Sequence, residues 1–150
     1  MPGTYSKLLY HIVFSTKKRA RLITPDLQPR LYDYVGGIVR MERGIAYQIG
    51  GTLDHIHLLM RWRTDESVAT FLRNLKSHSS RWVHETFPVC RSFQWQEGYG
   101  AFTVSESQVE VVTRYIMDQE RHHAAKTFEQ EFIELLKAHQ IEYDERYLWD

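Results

Sequence analysis

The chain has almost no cysteine, little proline and no surplus of either charge. A single thiol, Cys90, stands in 150 residues. It cannot form an internal disulfide, so a cross-linked scaffold is excluded and a reducing compartment fits. Lys and Arg total 19, and Asp and Glu total 19. That balance argues against a protein that coats duplex DNA without specificity, which would be basic. No apolar run approaches the length of a membrane span, and the N-terminus lacks a signal-peptide pattern. There is no internal repeat and no low-complexity segment. What remains is an ordinary globular composition, 43% apolar and 25% charged, and the expectation is one domain over residues 1–150.

The charge is unevenly spread. Lys7, Lys17, Lys18, Arg19 and Arg21 make the beginning basic, whereas Glu129, Glu131, Glu134, Glu142, Asp144, Glu145 and Asp150 make the last quarter acidic. Residues 7 to 16 hold strand formers with apolar side chains on both faces, as in a central strand. Thr24-Pro25 reads as the start of a helix reaching about Arg43, with Gly36-Gly37 as a weak point or a close packing site. Residues 45 to 50 and 54 to 62 read as a hairpin around Gly51. A second helix is expected over 65 to 86, with Val68, Phe71, Leu72, Leu75, Trp82 and Val83 as its apolar stripe. A strand interrupted by Gly98-Tyr99-Gly100 is expected over 93 to 104. Ser105-Glu106-Ser107-Gln108 and Thr127-Phe128-Glu129-Gln130 read as capping boxes opening two further helices, to about His123 and His139. The order β-α-β-β-α-β-α-α predicts an α+β, ferredoxin-like split βαβ fold. It would have a four-stranded antiparallel sheet, two helices on one face and added C-terminal helices. The aromatic tail, Tyr143, Tyr147, Leu148 and Trp149, is expected to dock.

Two segments carry chemistry. In Asp54-His55-Ile56-His57-Leu58-Leu59, read as a strand, His55 and His57 project from one face, and Ile56, Leu58 and Met60 point into the core. Two such imidazoles form half of a metal site, or else two histidines on a solvent-facing strand. Asp54 either orients a histidine or shapes the entering turn. In Tyr115-Ile116-Met117-Asp118-Gln119, read as a helix, the i, i+4 spacing sets a phenol beside an amide oxygen. Val109, Val112 and Ile116 form that helix's apolar stripe. Tyr115 lies about a quarter turn off it. Gln119 and His122 share the tyrosine's face, and His123 falls back towards packing. Two histidines, an amide and a tyrosine are the parts needed for metal-assisted attack on a phosphodiester.

Four motifs in order resemble the single-tyrosine transposases of the HUH nuclease superfamily, the group that includes insertion-sequence-200-like and REP-associated transposases. They are His11-Ile12-Val13-Phe14-Ser15-Thr16-Lys17, Gly50-Gly51-Thr52-Leu53-Asp54-His55-Ile56-His57, Trp95-Gln96-Glu97-Gly98-Tyr99-Gly100-Ala101-Phe102 and Tyr115 to His123. The resemblance implies the same fold, with the third helix carrying the nucleophile, Tyr115. It implies a divalent ion, Mg2+ or Mn2+, held by His55, His57 and Gln119. It also implies single-stranded, hairpin-containing DNA as substrate, a 5′-phosphotyrosine intermediate with a free 3′-hydroxyl, strand transfer, and a homodimer with no membrane attachment. Such a protein is expected in the cytoplasm with the nucleoid. Whether the tyrosine helix serves its own chain or its partner stays open at this level.

Candidate DNA contacts come in three groups. Lys17, Lys18 and Arg19 follow the first strand. Arg73, Lys76, Ser77, Ser80 and Arg81 share or flank a polar face of the second helix, which could equally be a plain solvated face. Trp95 and Tyr99 could stack on unpaired bases. His11 is expected to be a hydrogen-bonded core histidine. A binding module that has lost transposition, and a phosphodiesterase using water, are the rival readings.

Overall fold

The protein was analysed as a computed structural model that describes residues 3–149. Four strands, β1 (Leu8–Ser15), β2 (Ile45–Gly51), β3 (His55–Trp62) and β4 (Gly100–Thr103), form one antiparallel sheet in the order β2-β3-β1-β4. Helices α1 (Gln28–Met41) and α2 (Val68–Thr86) complete the split βαβ arrangement. The central strands β1 and β3 are buried on both faces, which is why they read as nearly unbroken apolar runs. Ile12 and Phe14 of β1 and Ile56, Leu58, Met60 and Trp62 of β3 enter the main core with Leu31, Val35, Phe71, Leu72 and Leu75.

The opposite face is not open. Beyond the sheet lie α3 (Val109–Met117), the short α4 (Gln119–His122) and α5 (Phe128–Ala138). Phe128, Phe132 and Leu136 of α5 form a second core with Val13 and Phe102, and Tyr143, Leu148 and Trp149 pack on it. The aromatic tail therefore docks, with Tyr147 left exposed. Among the described residues no helix is long and apolar enough to cross a membrane.

Several boundaries differ from the sequence expectation. The first helix begins at Gln28 rather than Thr24. Thr24 instead closes a turn, its Oγ1 accepting from Leu27 N at 3.3 Å. The strand expected over 93 to 104 shrinks to β4 plus one bridge between Thr16 and Trp95. The Lys76 ammonium gathers the carbonyls of Gln96, Glu97 and Gly98, and a chain gathered on one cation cannot stay extended. The capping box at Ser105 does not form: Ser105 Oγ pairs with Ser107 Oγ, and a 3-10 turn precedes α3. The expected third helix breaks at Asp118 into α3 and α4. The box at Thr127 forms in full and starts α5. Gly51 ends β2 at φ 155°, where a side chain would collide with the His55 carbonyl.

Candidate active site

His55 and His57 leave β3 on the side that faces α3 and α5, and both are completely buried. The solvent-facing alternative is thereby excluded. His55 Nδ1 donates to Asp54 Oδ1 at 2.7 Å, and Thr52 Oγ1 donates to the same oxygen at 3.1 Å. Asp54 thus makes the orienting contact, the first of its two expected roles. His57 Nδ1 lies 2.8 Å from His11 Nε2 on the adjacent strand β1. His11 is a buried, hydrogen-bonded histidine as expected, and its partner is one of the pair.

Within the single chain, Tyr115 lies beside the chain's own histidines. Gly50 stands opposite His57 in the β2–β3 register. A Cβ there would fall 2.8 Å from Ile116 Cγ2, so the missing side chain lets α3 lie directly on the sheet. Tyr115 is thereby set with its ring 5.7 Å from that of His57 and 6.1 Å from that of His11. Gln119 follows across the break at Asp118, and its Oε1 lies 2.8 Å from His55 Nε2. His122 lies beside the phenol, the two rings tilted to each other with centroids 4.9 Å apart.

Two further residues complete the cluster. His123, expected to pack on the apolar stripe, instead faces the site: its ring is 4.5 Å from that of His55, and its Nε2 lies 3.0 Å from Glu131 Oε1. Glu131 of α5 is the residue that sequence reasoning missed. Its Oε1 also lies 3.0 Å from His57 Nε2 and 3.4 Å from His55 Nε2. Its Oε2 accepts from Gln119 Nε2 at 2.9 Å and from the Tyr115 hydroxyl. One signal for it was present. Phe128, Phe132, Leu135 and Leu136 form a helical apolar stripe, and Glu131 is a charge set inside that stripe rather than opposite it.

Burial and these contacts set the protonation states. Burial alone would lower the His55 pKa, but hydrogen bonds to Asp54 and Glu131 push it up to about 9. Burial pulls His57 down to about 4 despite Glu131, and burial next to His57 pulls His11 down to about 3. Burial and the Glu131 carboxylate push the Tyr115 phenol above its ordinary value. Burial would raise Glu131, but hydrogen bonds from His123, His55 and His57 outweigh it and hold the carboxyl well below the usual range.

The donor set fits a divalent ion. The Asp54 carboxylate only accepts, so a neutral His55 carries its proton on Nδ1 and turns the Nε2 lone pair inwards. That lone pair meets the oxygens of Gln119 and Glu131, which are also acceptors. Such a meeting is favourable only around a proton or a cation. The His55, His57 and Glu131 ligand atoms lie within 4.8 Å of one another. Mixed imidazole and oxygen donors suit Mn2+, and suit Mg2+ less well.

Residues 4–119 match the family described as "Transposase IS200 like". The chain belongs to the IS200-like transposase family. This transposase is 24% identical over 122 residues to the ISDra2 transposase TnpA of Deinococcus radiodurans, covering 78% of this chain and 87% of that protein. It superposes on a crystal structure of a chain from D. radiodurans described as a candidate transposase, with a TM-score of 0.64 and 25% identity over 79% of this chain and 95% of that one. It shares its fold with a REP-associated tyrosine transposase solved bound to a REP hairpin. There the TM-score is 0.60 and the identity 15%, over 82% of this chain and 73% of that one.

The transposase surface sorts the expected DNA contacts. A groove of about 820 Å³ runs from Lys18, Arg19 and Arg21 past Asp54 and His123 to Lys126, along the edge of the cluster. Lys18 and Arg19 both hold positive φ on its wall, and Arg19 lies over the Trp149 ring at 4.9 Å. A second groove, of about 580 Å³, is lined by Lys17, Lys18, Lys76, Ser77, Ser80 and Trp149 among others. Arg73, Arg81 and Tyr99 are exposed but line neither groove. Two of the expected contacts, both lining the second groove, are already engaged within the protein. Trp95 borders the groove but is 9% exposed, packed between Phe14 and Phe93 and donating to Ser79 Oγ at 2.9 Å, so most of its ring is taken up by the core. Lys76 Nζ is occupied by three backbone carbonyls, and burial lowers its pKa to about 8.

Proposed function

We propose that this transposase cuts and rejoins single-stranded DNA through Tyr115, with residues 1–150 acting as one catalytic domain in the cytoplasm, at the nucleoid. The observation that carries the reading is convergence. The Tyr115 hydroxyl and the Nε2 atoms of His55 and His57 all meet the two oxygens of one carboxylate, so the phenol and the inward imidazole nitrogens converge on one point. A phosphodiester held beside that carboxylate, in line with the phenol, would place its phosphorus before the phenol oxygen. The Tyr115 oxygen would form a bond to phosphorus as its proton leaves to solvent, the bond to the 3′-oxygen would break, and that oxygen would take up a proton and leave as a free hydroxyl. The 5′-phosphotyrosine keeps the phosphodiester energy, so a second 3′-hydroxyl can reverse the step on another strand. His55, His57 and Gln119 would hold Mg2+ or Mn2+, whose charge offsets that of the phosphate and fixes its position. Asp54 and His11 hold the two imidazoles in orientation, and His122 flanks the phenol. The phenol of the free protein is held protonated, so the nucleophile is not preformed.

The groove bordered by Lys18 and Arg19 leads unpaired DNA to this spot, and Ser77, Ser80 and Lys17 supply a second phosphate track. Pairing into a homodimer would set two such sites side by side, with each tyrosine helix serving its own chain as it lies here. It would bring two DNA ends together for strand transfer.

The test is a labelled hairpin oligonucleotide with unpaired flanks, incubated with Mn2+ or Mg2+ and run on a denaturing protein gel. Wild type should retain the label from the downstream side of the cut, whereas Tyr115→Phe and His57→Ala should form no adduct. Cleavage by Tyr115→Phe would point to attack by water. A second reading, a hairpin-binding protein without transposition, is favoured by one observation: Glu131 already satisfies the phenol and both histidines. It predicts binding with neither cleavage nor adduct.

A further inference from the structure

We infer that Glu131 is itself a ligand of the divalent ion, so that the centre consists of two histidines, an amide oxygen and a carboxylate supplied by the C-terminal helix. The inference rests on the metal-assisted reading above. Glu131 lies beyond residue 119, where the family match ends.

Position is the first argument. Ligands about 2.1 Å from a common ion and at right angles to each other stand about 3.0 Å apart. The inward atoms match that spacing: His57 Nε2 to Glu131 Oε1 is 3.0 Å, His55 Nε2 to Glu131 Oε1 is 3.4 Å, and His55 Nε2 to Gln119 Oε1 is 2.8 Å. Charge is the second. Glu131 is 1% exposed, and its ion-pair partners among the described residues are all histidines. With no ion bound, a protonated His55 supplies the positive charge this buried carboxylate needs, and a divalent ion would take that proton's place between His55 and Glu131. Donor chemistry is the third. Hard cations prefer charged oxygen, and without Glu131 the set would offer two nitrogens and one neutral oxygen.

The helix that presents Glu131 is held firmly. The Thr127 capping box fixes its start, and Phe128 and Phe132 on either side of Glu131 are buried in the second core. An ion bound by Glu131 therefore ties α5 to the catalytic face of the sheet.

The experiment is Mn2+ titration by calorimetry, without DNA, of wild type, Glu131→Gln, His57→Ala and Glu134→Gln. Glu134 is an exposed acid on the same helix, paired with Lys126, and controls for simple loss of charge. Glu131→Gln should weaken Mn2+ binding about 10- to 100-fold, while Glu134→Gln binds as wild type does. Hydrogen exchange of the wild-type protein gives a second readout that no variant's folding can spoil: Mn2+ should slow exchange across Phe128–Ala138. If wild type binds Mn2+, His57→Ala does not, and Glu131→Gln binds as tightly as wild type, Glu131 is no ligand and the metal reading stands without it. Faster adduct formation by Glu131→Gln would then identify the carboxylate as an occupant of the phosphate's place. If Mn2+ leaves the exchange of α5 unchanged or speeds it, the inference also fails. If wild type binds no Mn2+, the inference falls together with the metal part of the proposed function.

Discussion

Replacing Gly50 with alanine tests whether Tyr115 acts on its own chain's histidines. The backbone at Gly50 needs no positive φ, so alanine is conformationally permitted there. The cost is steric. The new Cβ would sit 2.8 Å from Ile116 Cγ2 and closer still to the Ile116 carbonyl oxygen. Carbon atoms pack comfortably at about 3.5–4.0 Å, so α3 must retreat by about 1 Å. Overpacking of this kind costs about 1–3 kcal/mol. That is tolerable against a total stability of about 5–15 kcal/mol. For a chain of this size it should lower Tm by a few degrees per kcal/mol. The effect on chemistry should be larger than the effect on stability. Tyr115 is the neighbour of Ile116, and Gly50 faces His57 across the sheet, so the retreat opens the gap between nucleophile and histidines. A 1 Å misplacement can cost about 100-fold in rate. The single-turnover rate of adduct formation on the labelled hairpin should fall by about that factor, with Mn2+ affinity little changed. Gly36→Ala is the control. Its Cβ would meet Ile49 Cδ1 at an ordinary 3.7 Å inside α1, and it should stabilise by up to about 1 kcal/mol without slowing the adduct. A Gly50→Ala protein that forms adduct within twofold of wild type would refute the reasoning, because α3 would then not work from its seat on β2.

Two further outcomes are expected. In a chelating buffer, Tm should peak near pH 6.5. The folded His55 keeps its proton up to about 9 instead of the ordinary 6.5, so its contribution is complete below pH 6.5 and is lost as pH rises through 9. His57 and His11 stay neutral in the folded protein down to about 4 and about 3, whereas unfolded chains protonate below 6.5, so stability is also lost as pH falls from 6.5. A fall of about 5 °C or more on each side is expected, and a Tm rising steadily from pH 5 to 9 would contradict it. Lys76→Met keeps the side-chain stem but removes three hydrogen bonds to the carbonyls of Gln96, Glu97 and Gly98. It should cost about 1–3 kcal/mol and speed hydrogen exchange of that loop. Unchanged exchange with a salt slope for DNA binding reduced by about one would restore Lys76 to phosphate contact.

The His-x-His spacing, the Tyr115–Gln119 spacing and the six-element order are local properties, and they survive folding because strand and helix periods alone decide which side chains share a face. Three features were settled only by the tertiary structure. The face carrying His55 and His57 is buried rather than open, because the apolar stripe of α5 needs a partner and the remaining sheet face offers it. His123 turns towards the site because the helix breaks at Asp118, and the 100° spacing that assigned it to the apolar stripe stops there. Glu131 joins residues 74 and 76 positions away. Its place inside the apolar stripe of α5 marks it as facing inwards, but not which groups it meets. Its oxygens find the histidines, the amide and the phenol only once four elements have packed together. Sequence pattern therefore determined which groups can react and on which scaffold. Packing decided which charge they meet, since the desolvation that makes a buried carboxylate demand a cation exists only after the chain has closed over it.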